Sequence, residues 1–240
     1  MMRVVIISIF LLNLLTSFYV GLVFQDKFQE LRAQKEQEQI TFVLKEKDEE
    51  QRLIDFKKFP NLKLAGLNKA QTKLMATAYE LGMDYNYETR EVVEGLLLQE
   101  SIAGAVDKVG GKHLPVGLRY YGVMQMKVTA VQDVLATHSK FCEQFFHKSY
   151  GKISSEEIIA KLITDDPFTI RMAYAYYDKY RKRSKDVFHA ITVYNQGPGG
   201  ARLVDDPEEF EYTANVIRHI RYNVRPFNKQ LEKKFDLNNT

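Results

Sequence analysis

The chain has 240 residues, 45% of them hydrophobic and 27% charged, which is room for one well-buried domain plus an appendage and too little for two full domains. That composition excludes a disordered chain and a many-span membrane protein. A formal charge of +3 is too small to choose among nucleic acid, phospholipid and an acidic wall polymer as a partner.

The first element is a run without charge at residues 4–24, dominated by Val, Ile, Leu and Phe. About 20 such residues cross a bilayer as a helix. Arg3 and the amino terminus precede the run, so the positive-inside rule predicts an N-terminus in the cytoplasm and an exported remainder. An uncleaved anchor is preferred over a cleaved signal sequence, because the run is long and no small-x-small cleavage site follows it. Residues 25–60 are rich in Lys, Glu, Asp and Gln without a heptad register, and read as a charged spacer ending at Pro60. Residues 61–240 are then expected to form the domain.

Apolar residues recur at helical spacing from Leu67 to Leu81, where Gly82 interrupts. A second helix is predicted over 87–101, with Val92, Leu96 and Glu100 on one stripe. Residues 102–121 carry Gly104, Gly110, Gly111, Gly117 and Pro115 and read as a loop or short hairpin. Helices are predicted over 126–138, 155–162, 166–180, 186–194 and 208–222, the last of them ending the fold. The pattern around Cys142 reads as a further helix carrying a buried thiol. As the sole cysteine, Cys142 cannot form an intrachain disulfide. Without a strand-rich stretch, the domain should be mainly helical.

Three segments carry candidate chemistry: Gln99-Glu100-Ser101, Gly122-Val123-Met124-Gln125-Met126, and the stretch from Ala190 through Tyr194-Asn195 to Gly199. A carboxyl in the last turn of a helix, on a stripe that otherwise holds Val92 and Leu96, is expected to be partly desolvated, which suits a general acid. Gln125 offers a donor and acceptors, and Met124 and Met126 supply adaptable apolar surface. Gly197, Gly199 and Gly200 lack a following Gly-Lys-Ser/Thr and read as a tight turn. Tyr174, Tyr176, Tyr177 and Tyr180 form an aromatic helix face for which core packing is expected over sugar stacking. The five histidines show no compact ligand spacing, so neither a metal site nor a cofactor is expected.

The order of these motifs, followed by the Tyr212 segment YTANVIRHIRYN, resembles the catalytic domain of soluble-type lytic transglycosylases, in the lysozyme-like superfamily. The resemblance covers residues 88–222. It implies an α+β, mainly α lysozyme-like domain with a substrate cleft, and cleavage of the β-1,4 bond between N-acetylmuramic acid and N-acetylglucosamine with a 1,6-anhydromuramyl product. It also implies Glu100 as the single acid/base. Ser101, Gly122, Val123, Met124, Gln125, Met126, Tyr194, Asn195 and Tyr212 are then the residues that bind sugar or support the carboxyl. Peptidoglycan strands are the implied partner, the membrane is reached through the N-terminal helix, an envelope-spanning assembly is a further candidate, and nucleic acid is not expected.

The sequence departs from that family's pattern in two places. The loop between Glu100 and Gly122 is longer than the family's compact stretch, and after Gln125 the expected proline is replaced by Lys127-Val128-Thr129-Ala130. Two other readings stay open. One is a hydrolysing muramidase, if Asp107 or Asp133 approaches Glu100 as a second carboxylate. The other is a wall-binding scaffold without catalysis.

Overall fold

A computed structural model of the chain describes residues 66–238. The expected membrane span at 4–24 and the spacer at 25–60 lie outside the described residues. Among the described residues no helix is long and apolar enough to cross a membrane. The described residues all belong to a compact unit that begins at Phe59, beside Pro60.

The unit is mainly helical, and its helix boundaries follow local chemistry. Helix α1, Lys69–Leu81, starts at a capping box in which the Asn68 side chain accepts from Gln71 N and the Gln71 side chain accepts from Asn68 N. Helix α2, Tyr87–Ser101, starts where the Asn86 side chain accepts from Thr89 N, and it occupies the span expected from periodicity. A short antiparallel pair follows, β1 (Val109–Gly110) with β2 (Tyr120–Tyr121), in the register Val109 to Tyr121.

The helix expected over 126–138 is shorter, α3 being Val128–Leu135. Helix α4, Ser139–Phe146, then buries the Cys142 thiol against the Leu135 carbonyl. Helix α5, Ser155–Thr164, has a Ser154–Glu157 capping box. Helix α6, Asp166–Arg181, is capped by Asp165 and carries Pro167 in its first turn, where the missing N–H costs nothing.

Helix α7, Val187–Ala201, is broken at Gly197 (φ 73°, ψ 166°), so the turn expected within 195–200 is present as a kink between two helical segments, the second of which carries Pro198. One expectation at the C-terminal end is corrected: 208–222 is not the last helix. Helix α8, Glu211–His219, passes through a π-helical turn at Ile220–Val224 into α9, Arg225–Asn238. Pro226 lies just after the π-helical turn, within this continuous run.

Helix α2 is the centre of the packing, with α1, α6, α8 and the π-turn against it. Its buried residues therefore run without interruption from Thr89 to Leu98 and do not form one stripe. At Gly95 an added Cβ would meet the Ile220 side chain at 2.8 Å, so the glycine sets how closely the α8 end approaches. Two carboxylates buried by this central position take partners from α9. Arg225 forks onto the Glu91 carboxylate at 3.0 Å, and Asn228 Nδ2 donates to Glu94 Oε2 at 2.7 Å, so both contacts tie α9 to α2.

Candidate active site

Helix α2 delivers Glu100 to a cleft of about 540 Å³, where Gln125, Lys127, Asp133, Tyr176, Tyr194 and Asn195 also line the wall. The chain leaves the helix sharply. Ile102, Ala103 and Gly104 all adopt positive φ (49°, 52° and 85°), a sequence of left-handed residues that stops α2 one residue after Glu100. Ser101 holds this exit: its hydroxyl donates to Leu97 O at 3.2 Å and accepts from Gly104 N at 2.8 Å. The expectation that Ser101 contacts the carboxyl or a sugar is corrected, since it is buried and bonded to backbone.

Half-buried, the Glu100 carboxyl is pushed up to about 7 by burial, and the hydrogen bond from Tyr212 pulls in the opposite direction. The Tyr212 hydroxyl donates directly to Glu100 Oε1. Burial, then the charge of Glu100, raise the Tyr212 hydroxyl well above its ordinary range, so it stays a donor, while the Asn195 amide beside it pulls the other way. Asn195 in turn accepts from Gln196 Nε2.

The expected contact from Tyr194 to Glu100 is not the one formed. The Tyr194 hydroxyl donates to Met124 O at 3.1 Å, which fastens α7 to the segment after β2, and its ring packs edge-on against Tyr176 at 5.9 Å. Spacing alone could not separate the two tyrosines, because the partner of each hydroxyl is set by a distant segment, Met124 for Tyr194 and Glu100 for Tyr212.

The Gly122–Met126 segment divides by depth. Gly122 (φ 73°) is pressed against α5, where an added Cβ would lie 2.3 Å from Leu162 O. Val123 and Met124 are buried, so their expected role as sugar contacts is corrected to core packing. Gln125 (φ 45°) faces the cleft. Its Nε2 donates to Gly122 O at 2.9 Å and lies 3.2 Å from Asp107 O, which fixes the amide plane. Met126 lines the cleft wall and bridges Tyr121 through paired backbone bonds of 2.9 Å.

Of the two aspartates considered as a second carboxylate, Asp107 is on the exposed loop, bonded to Lys112 and Val109 N, and does not line the cleft. Asp133 does line it, with Lys179 Nζ at 2.8 Å and the Tyr180 hydroxyl at 3.0 Å on its carboxylate. The aromatic face of α6 is split accordingly. Tyr174 and Tyr177 are core, as expected, whereas Tyr176 and Tyr180 reach the cleft. Tyr120 and Lys127 also line it and were not singled out by spacing. Among the described residues no group of three His, Cys, Asp or Glu side chains is arranged to hold a metal ion.

Compared with protein-family models, with curated proteins and with solved structures, the chain matches none.

Proposed function

We propose that the chain is a peptidoglycan lytic transglycosylase with a lysozyme-like catalytic domain and Glu100 as its single acid/base. The observation that carries this reading is the Glu100 carboxyl, desolvated at the end of α2, raised to about 7 and held by the Tyr212 hydroxyl inside an open cleft. A carboxyl so placed is half protonated near neutrality and can both give and take a proton. The motif order supports the same assignment.

In this reaction Glu100 protonates the oxygen linking C1 of the muramyl sugar to the glucosaminyl sugar, and that C–O bond breaks as an oxocarbenium-like state develops. Glu100, now a carboxylate, removes the proton of the muramyl 6-hydroxyl, whose oxygen bonds to C1. The product is the 1,6-anhydro ring, no water is consumed, and Glu100 ends protonated. Tyr212 stabilises the carboxylate that exists between the two proton transfers. An N-terminal anchor at 4–24 would hold the cleft outside the membrane, facing the glycan.

A hydrolytic muramidase is the second reading, favoured by Asp133 lining the same cleft. Against it stands the pairing of Asp133 with Lys179 and Tyr180. Mass analysis of fragments released from purified peptidoglycan by the full chain separates the readings. Anhydro ends, absent with Glu100→Gln, are expected, with a loss of at least the roughly 100- to 10,000-fold typical of one proton-transfer role. Reducing ends would make the protein a hydrolase, and no release at all would leave a wall-binding scaffold.

A further inference from the structure

Among the described residues that line the cleft, the carboxyl and ammonium side chains are those of Glu100, Lys127 and Asp133. Glu100 enters the reaction as the neutral acid under the function proposed above. Asp133 is compensated by Lys179, itself nearly buried, at 2.8 Å. Lys127 differs from both. Its ammonium stands 5.1 Å from the centre of the Tyr120 ring, on the cleft wall, and among the described residues no carboxylate ion-pairs with it. The neighbouring lysines behave otherwise, since Lys108 holds Asp166 and Lys112 holds Asp107. With Glu100 protonated, the described lining of the cleft therefore carries one charge without a counter-ion, the Lys127 ammonium, which lies by an aromatic face and is open to a ligand. A ring face attracts an ammonium but leaves its N–H donors unused on the far side. The matching ligand group is a carboxylate.

We propose that Lys127 is a specificity-determining residue that pairs with a carboxylate carried by the glycan, so that the cleft selects acidic over neutral polysaccharide. This rests on the glycan-cleaving reading of the same cleft. Two sources on a muramyl strand supply the group: the lactyl substituent of the sugar once its peptide is removed, and the carboxylates of an attached peptide stem.

The test is binding by isothermal titration to the full chain carrying Glu100→Gln, with three oligosaccharides of equal length. These are a denuded muramyl–glucosaminyl oligomer with free lactyl carboxylates, the same oligomer bearing peptide stems, and a neutral N-acetylglucosamine oligomer. At least one acidic oligomer should bind roughly ten- to a hundredfold more tightly than the neutral one at low salt, the range for a charge-assisted hydrogen bond. Adding Lys127→Met should remove that preference and leave the neutral oligomer unchanged, while Lys127→Arg keeps it; added salt should weaken it. The acidic oligomer that loses affinity identifies the source. Equal binding of all three by the Lys127 protein, equal losses for all three in Lys127→Met, or no binding of any overturns the proposal. Cleavage of peptidoglycan by the wild type is scored separately. Cleavage without a Lys127-dependent preference overturns the carboxylate pairing alone, and preference without cleavage overturns the transglycosylase reading.

Discussion

The Tyr212 hydroxyl donates to Glu100 Oε1 across 112 residues of chain, joining α8 to the last turn of α2. Because the bond favours the ionised carboxyl, it restrains the rise that burial imposes on Glu100. Tyr212→Phe should therefore move the pH dependence of cleavage upward by roughly one to two units and slow turnover, as expected for one hydrogen bond to a charged group. Tyr194→Phe should leave the pH dependence in place and lower stability by about 1 kcal/mol, since its hydroxyl bonds the Met124 carbonyl. Rate profiles of the two variants check this, and a shift produced by Tyr194→Phe alone would reverse the assignment.

With its carboxyl at about 7, Glu100 is the required acid only below that pH. In the wild type, kcat/KM for glycan cleavage should fall above pH 7, approaching about tenfold per pH unit. A rate that climbs steadily from pH 7 to 9 would rule out Glu100 as the initial proton donor.

Glu94 is fully buried on the same helix, and burial pushes it up to about 8 despite the Asn228 hydrogen bond that lowers it. Glu94 Oε1 and Asn228 Oδ1, the remaining oxygens of that pair, have no hydrogen-bond partner among the described residues. One proton on Glu94 supplies the missing donor. The folded state then holds a proton that the unfolded chain releases near 4.5, so stability is full below that pH and falls as pH rises toward about 8, by up to about 1.4 kcal/mol per unit. Glu100 contributes with the same sign up to about 7. In a Glu100→Gln background, Glu94→Gln should flatten this decline, because its amide can donate and accept at every pH. Urea midpoints measured from pH 5 to 9 decide it; parallel curves for the two proteins would remove Glu94 from the account.

Gly122 and Gly197 share φ 73°, but only Gly122 is crowded, with Leu162 O and Thr169 against the position of a Cβ. Gly122→Ala should cost about 2 to 5 kcal/mol through strain plus overpacking, whereas Gly197→Ala, at φ 73° and ψ 166°, should cost about 1 to 3 kcal/mol from backbone conformation alone. Thermal unfolding of both variants provides the comparison, and equal losses would mean that α5 yields to the added methyl.

What the sequence determined by itself was local. The periodicity from Tyr87 to Ser101 marked out α2, the Asp166-Pro167 signal started α6, and Glu100 stood out as an acid on an apolar run. Such features act within about one helical turn, so neighbouring residues suffice to specify them. The continuation through the π-helical turn into α9 was missed; Pro226 is a residue that ordinarily interrupts a helix, and here it follows the wider turn at Ile220–Val224. The tertiary structure alone decided which tyrosine reaches Glu100, since a hydroxyl's partner depends on how α7 packs against α6 and α8 against α2. It also decided that Ser101 turns to the backbone, that Val123 and Met124 are core, and that Glu94 is buried on a helix surrounded by others. Burial on all sides is a property of the neighbours, and no residue's own identity carries it.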